Sequence, residues 1–209
     1  GGSVVLQAPA SAAYLWSTTA TTQTITVSSS GNYNVSVTDA NNCTSPVSDN
    51  LTVTVNALPA KPTVTALGPT TFCAGGSVVL QAPASAAYLW STTATTQTIT
   101  VSSSGNYNVS VTDANNCTSP VSDNLTVTVN ALPVATAGSN SPVCAGSTIN
   151  LTSSGGTSYS WSGPTGFTSV SQNPSITGAT TAMTGVYTVS VTDANSCTAT
   201  NNTSVTVNA

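Results

Sequence analysis

Residues 1–59 recur without a single change as residues 75–133, so the chain is a tandem array with a 74-residue period. A diverged third copy follows: Gly31-Asn32-Tyr33-Asn34-Val35-Ser36-Val37-Thr38-Asp39-Ala40-Asn41 returns as Gly185-Val186-Tyr187-Thr188-Val189-Ser190-Val191-Thr192-Asp193-Ala194-Asn195. Repetition at domain length limits both fold and function. Each copy must bury a core of its own, and three repeats are expected at 1–57, 58–131 and 132–209. Gly1 aligns with Gly75, so repeat 1 is read as N-terminally truncated just after the counterpart of Cys73. An active site gains little from being copied head to tail, whereas a spacer or multivalent binder gains length or avidity with each copy.

The second copy shows the local pattern most completely. Val78, Leu80 and Ala82 share one face of an alternating stretch, and Gln97-Thr98-Ile99-Thr100-Val101 sets Ile99 and Val101 inward. Tyr88-Leu89-Trp90, Asn106 to Thr112 and Leu125 to Val129 continue the period of two, and Thr63-Val64-Thr65-Ala66 adds a further strand. β-branched residues dominate, turn residues punctuate every 8–12 positions or so, and no stretch has helical spacing. The expectation is all-β: tandem immunoglobulin-like β-sandwich domains. Asp113 is expected to accept backbone N–H bonds in an Asx-turn, with Asn116 at positive φ. One Asp per turn falls short of a calcium cage, so Asp39, Asp113 and Asp193 read as turn residues. The Pro-bearing linkers Asn56–Pro62 and Asn130–Pro133 are short and stiff.

Charge is nearly absent: one Lys, no Arg, no His and five acidic residues, all Asp. Clustered Lys and Arg are what a phosphate backbone requires, so nucleic-acid binding is excluded. Without His or Glu the usual general bases are missing, and glycosidase chemistry needs paired carboxylates that scattered turn residues do not supply. The reading is non-enzymatic, with no cofactor and no metal. No apolar run reaches the ~20 residues of a membrane helix, so no membrane insertion is expected.

Cys73 precedes Trp90 by 17 residues, and Cys144 precedes Trp161 by the same 17. Cys117 and Cys197 are the second cysteines, and Cys43 is their equivalent in repeat 1, its partner position lying outside the chain. Cysteine pairs in small Ser/Thr-rich domains point to an oxidising, extracellular compartment. Pairing within a repeat, Cys73 with Cys117 and Cys144 with Cys197, is the favoured expectation, because a small domain needs the ~4 kcal/mol that closing such a loop supplies. The alternative is pairing between neighbouring repeats or chains, which applies if the two positions fall at opposite ends of an immunoglobulin-like sandwich. Trp16, Trp90 and Trp161 are expected in the cores, with an exposed sugar platform as the alternative. Tyr33, Tyr107 and Tyr187 resemble the tyrosine corner of such sandwiches.

The order Cys73-x-Gly75, Tyr88-x-Trp90-Ser91, Gly105-x-Tyr107-x-Val109-x-Val111-Thr112-Asp113-x-x-x-Cys117 resembles Ig-like and PKD-like tandem repeats of very large Bacteroidota surface adhesins. Cys144, Tyr159-x-Trp161-Ser162 and Gly185 through Cys197 repeat the motif. The resemblance implies secretion by the type IX route, display at the cell surface, and a role as stalk or filament. It differs in lacking Gly before the second cysteine, where Asn42, Asn116 and Ser196 stand. The leading expectation is an extracellular structural repeat segment of a surface adhesin or filament. Self-association into a filament, or continuation in a longer repeat protein, is the expected partnership. A carbohydrate-binding accessory module of a secreted protein is the alternative, with surface glycans or host surfaces as partners and Tyr14, Tyr88 and Tyr159 as its repeated aromatic candidates.

Overall fold

The computed structural model describes residues 2–209, and the chain is an all-β array of immunoglobulin-like sandwiches. Repeat 2 shows the layers in full. One sheet orders Thr98–Val101, Val78–Gln81 and Thr65–Ala66, all antiparallel. The other layer pairs Ala87–Trp90 with Val109–Thr112, then Gly105–Tyr107 with Leu125–Asn130. Its last member is Thr71–Cys73, which runs parallel to Leu125–Asn130 with Cys73 opposite Asn130. Of the expected strand Thr63-Val64-Thr65-Ala66 only Thr65–Ala66 forms, and Thr71–Cys73 is a further strand that the sequence reading did not give. Thr65–Ala66 serves one sheet, and after the Leu67–Thr70 stretch the chain crosses to serve the other.

The alternation read from the sequence sets the core. Val78, Leu80, Ala82, Ile99 and Val101 from one sheet meet Trp90, Tyr107, Val109 and Val127 from the other. Repeat 3 builds its own cluster on Ile149, Leu151, Trp161, Tyr187, Val189, Val191 and Val205, and repeat 1 on Leu6, Trp16, Ile25, Val27 and Val35. Every copy thus hides separate apolar surface, at roughly 25 cal/mol per Å² removed from water.

The stretch Asn106–Thr112 is not one strand in repeat 2. It breaks at Asn108, so that Gly105–Tyr107 and Val109–Thr112 pair with different neighbours. The cause lies across the turn. Ser119 N–H donates to Val111 O and Ser122 N–H to Val109 O, both at 2.9 Å, so three residues advance on one side for two on the other. This is a bulge around Pro120, which has no N–H to offer a ladder. The serine hydroxyls fill the gap: Val109 N–H and Val111 N–H donate to Ser122 Oγ and Ser119 Oγ at 3.0 Å, and both serines are buried. Repeat 3 has no proline there, and Gly185–Thr192 pairs continuously with Thr198–Val205.

Contacts divide the chain into two compact units, Gly1–Pro59 with Asp113–Thr118, and Ala60–Thr112 with Ser119–Ala209. Within the second, the exposed pair Lys61–Asp123 ties the linker to repeat 2, a contact worth at most about 1 kcal/mol. No helix among the described residues is long and apolar enough to cross a membrane.

Replacing Ser122 by Ala orphans a buried N–H. The expected cost is about 1–3 kcal/mol, read as a lower urea midpoint at unchanged m. The equivalent Ser48→Ala change, at an exposed serine, should cost less.

Candidate functional site: the junction between repeats

The feature that joins the copies is a disulfide between Cys73 and Cys197, residues 124 apart in sequence, with Cα atoms 5.5 Å apart. It corrects the favoured sequence expectation. Cys73 does not pair with Cys117, nor Cys144 with Cys197; Cys117 and Cys144 are free thiols, as is Cys43. The reason is the parallel register. In repeat 3, Cys144 stands opposite Asn208, beyond the end of the strand Thr198–Val205, whereas Cys197 immediately precedes that strand. Eight residues of strand rise about 26 Å, and a disulfide tolerates a Cα separation of no more than ~7 Å. Cys73 opposite Asn130 obeys the same register. The turn cysteine of one repeat is directed away from its own acceptor and meets the acceptor of the preceding copy.

Both halves of the bridge are built by backbone geometry. Cys73 O accepts from Gly76 N–H at 3.0 Å, Ala74 N–H donates to Asn130 O at 2.8 Å, and Gly75 takes φ +94°, which a β-carbon would oppose. On the other side, Asp193 Oδ1 accepts from Asn195 N–H at 2.8 Å and Cys197 N–H at 2.9 Å. Asp193 N–H donates to Cys197 O at 2.9 Å, and Ser196 takes φ +62°. This is the Asx-turn read from the sequence. Asp39 and Asp113 make the same pair of side-chain bonds, with Asn42 and Asn116 at positive φ. One carboxylate oxygen in each turn is thus committed to its own backbone. Among the described residues no group of three His, Cys, Asp or Glu stands together.

The aromatic residues serve the cores. Trp16, Trp90 and Trp161 are buried, and their indole N–H groups donate to Thr22 O and Thr96 O at 2.8 Å and to Gln172 O at 3.3 Å. Tyr33, Tyr107 and Tyr187 each donate to a carbonyl four residues upstream, Ser29, Ser103 and Met183, at 2.9–3.0 Å. That is the geometry of a tyrosine corner. Tyr107 and Tyr187 are buried, whereas Tyr33 is half-exposed. Tyr14, Tyr88 and Tyr159 are half-buried, and their hydroxyls donate to the carbonyls of Ser11, Ser85 and Gly156. None of these side chains forms an exposed platform.

No family model matches the chain, and no curated protein matches it. Among solved structures it is similar to the three N-terminal domains of the bacteriophage RB49 Highly Immunogenic Outer Capsid protein (Hoc), at 21% identity and TM-score 0.37. That match covers 70% of this chain and 59% of the Hoc structure. It is also similar to the amphioxus IgVJ-C2 molecule, at 15% identity and TM-score 0.34, over 65% of this chain and 99% of that one. At TM-scores this low neither likeness carries an argument about this chain.

One outcome tests the junction and a second tests the tyrosine corner of repeat 3. Asp193→Ala removes a charged acceptor from two N–H groups and should cost about 2 kcal/mol and lower the yield of Cys73–Cys197 on oxidative refolding, while Asp193→Asn retains most of both. Burial pushes the Tyr187 phenol above its ordinary 10.0. The unfolded chain ionises first, so this contribution is full below pH 10.0 and is lost as pH rises from there through the raised folded value. Urea titrations should show that alkaline loss flattened in Tyr187→Phe, at a fixed cost of about 1 kcal/mol for the hydroxyl bond.

Proposed function

We propose that this chain is a load-bearing extracellular repeat segment, the stalk of a surface adhesin or filament, without catalytic activity. The observation that carries the reading is the Cys73–Cys197 bond across two copies. Tension entering before residue 73 and leaving after residue 197 passes through a covalent S–S bond. The stretch of chain between the two cysteines, which includes most of two sandwiches, is then bypassed by the force. Closing so long a loop also removes about 5 kcal/mol of conformational freedom from the unfolded chain by the chain-entropy estimate.

Other features support the same assignment. Disulfides persist outside the reducing cytosol, which agrees with a surface location. Every aromatic side chain among the described residues is buried or half-buried, which disfavours the glycan-binding alternative, whose platforms need exposed rings. Separate cores in each copy suit a part whose purpose is reach.

Single-molecule stretching between the chain ends gives the test. Under oxidising conditions, repeats 2 and 3 should release only the chain outside the bridge. Reductant should add about 400 Å of contour, at ~3.4 Å per residue over the bridged stretch. Equal contour lengths with and without reductant would contradict the reading.

A further inference from the structure

The bridge has two halves, and each recurs in the chain without its partner. The acceptor half is Cys73 at the end of a short strand in parallel register with the last strand of its repeat. Repeat 3 builds the same frame around Cys144. It lies opposite Asn208, Ala145 N–H donates to Asn208 O at 2.8 Å, Ser147 N–H donates to Cys144 O at 3.1 Å, and Gly146 takes φ +84°. These reproduce the bonds of Ala74 and Gly76 and the φ of Gly75. The Cys144 thiol is free and exposed.

The donor half is the Asx-turn that presents Cys197. Cys43 sits in the same turn, with Cys43 N–H on Asp39 Oδ1 at 2.9 Å, and its thiol is also free and exposed. The remaining turn, Asp113–Thr118, belongs to one compact unit with repeat 1. There Cys117 lines a cavity of about 280 Å³ together with Gly2, Ser3 and Val4. Those residues correspond to Gly76, Ser77 and Val78, the stretch that follows the acceptor loop of repeat 2. Within each compact unit a turn cysteine therefore seats beside the start of a copy other than its own.

The geometry points to Cys144 as a covalent docking site whose ligand is the turn cysteine of another copy of this repeat. The site stands on the observed bridge and does not depend on the mechanical reading. Bond formation needs an oxidant, and a low-molecular-weight disulfide such as oxidised glutathione supplies it. The Cys144 thiolate attacks that disulfide and releases one small thiol. The incoming turn thiolate then attacks the Cys144 sulfur and releases the second. Two protein thiols lose two electrons, and the small disulfide leaves as two thiols carrying the two protons. With so little charge on the chain, copies meet little electrostatic repulsion. The incoming copy can be a following repeat of a longer polypeptide or a second chain, and the thiol chemistry is the same for both.

The test oxidises the 209-residue protein with glutathione disulfide and reads it by non-reducing electrophoresis and peptide mapping. Peptides around Cys43 and Cys117 share one sequence, so a Cys117→Ser background makes the assignment unique. A ladder of covalent oligomers joined Cys144 to Cys43 is expected. It should be lost in Cys144→Ser while Cys73–Cys197 persists. A chain lengthened by a further copy of residues 134–209, its own acceptor cysteine changed to serine, separates the sources. A monomer with Cys144 bonded to the added turn identifies the same-chain source, and a persistent Cys144–Cys43 ladder identifies the second-chain source. A Cys144 that stays alkylatable in both proteins, or that pairs with another Cys144, overturns the proposal.

Discussion

The parallel pairing of Thr71–Cys73 with Leu125–Asn130 governs the rest of this structure. It places the first cysteine of a repeat opposite the end of the last strand, while the second cysteine lies in the turn before that strand begins. A repeat built this way cannot close on itself. Its two thiols face outward at opposite ends, which turns a stabilising device of small secreted domains into a connector between copies. Repeat 3 preserves the arrangement with Val143–Cys144 on Val207–Asn208 despite its diverged sequence.

Repeats 1 and 2 share 59 identical residues, yet their cores differ in closure. Val4 is 41% exposed, whereas its counterpart Val78 is 3% exposed. Leu51 is exposed and Leu125 half-buried, and Val53 is half-buried where Val127 is buried. The segment preceding Val78 accounts for the difference at that position: a β-carbon on Gly68 would stand 3.7 Å from the Val78 Cγ2. Identical side chains therefore acquire different burial from the segments that flank them, and Phe72 of the acceptor strand packs against the same core.

Much of the fold was legible before any coordinates. Alternation picked out Val78, Leu80, Ala82, Ile99 and Val101, and all five are buried. The Asp113 turn, the positive φ of Asn116 and the corner hydroxyl of Tyr107 each followed from local chemistry that a few neighbouring residues decide. Cysteine connectivity was not legible, because it depends on the register of a three-residue strand flanked by Pro69 and Gly75 that carries no alternation of its own. The weighting of loop-closure stability over sheet geometry pointed to the wrong partner. The break at Asn108 was hidden for a related reason, since its cause is the Ser119–Ser122 bulge on the facing segment.

Non-reducing peptide mapping of the native protein, cut with chymotrypsin because a single lysine gives trypsin little to cleave, tests the central claim most directly. The account predicts that the peptide carrying Cys73 is joined to the one carrying Asn195-Ser196-Cys197. A Cys73 peptide joined instead to an Asn-Asn-Cys peptide from Cys43 or Cys117 would contradict it.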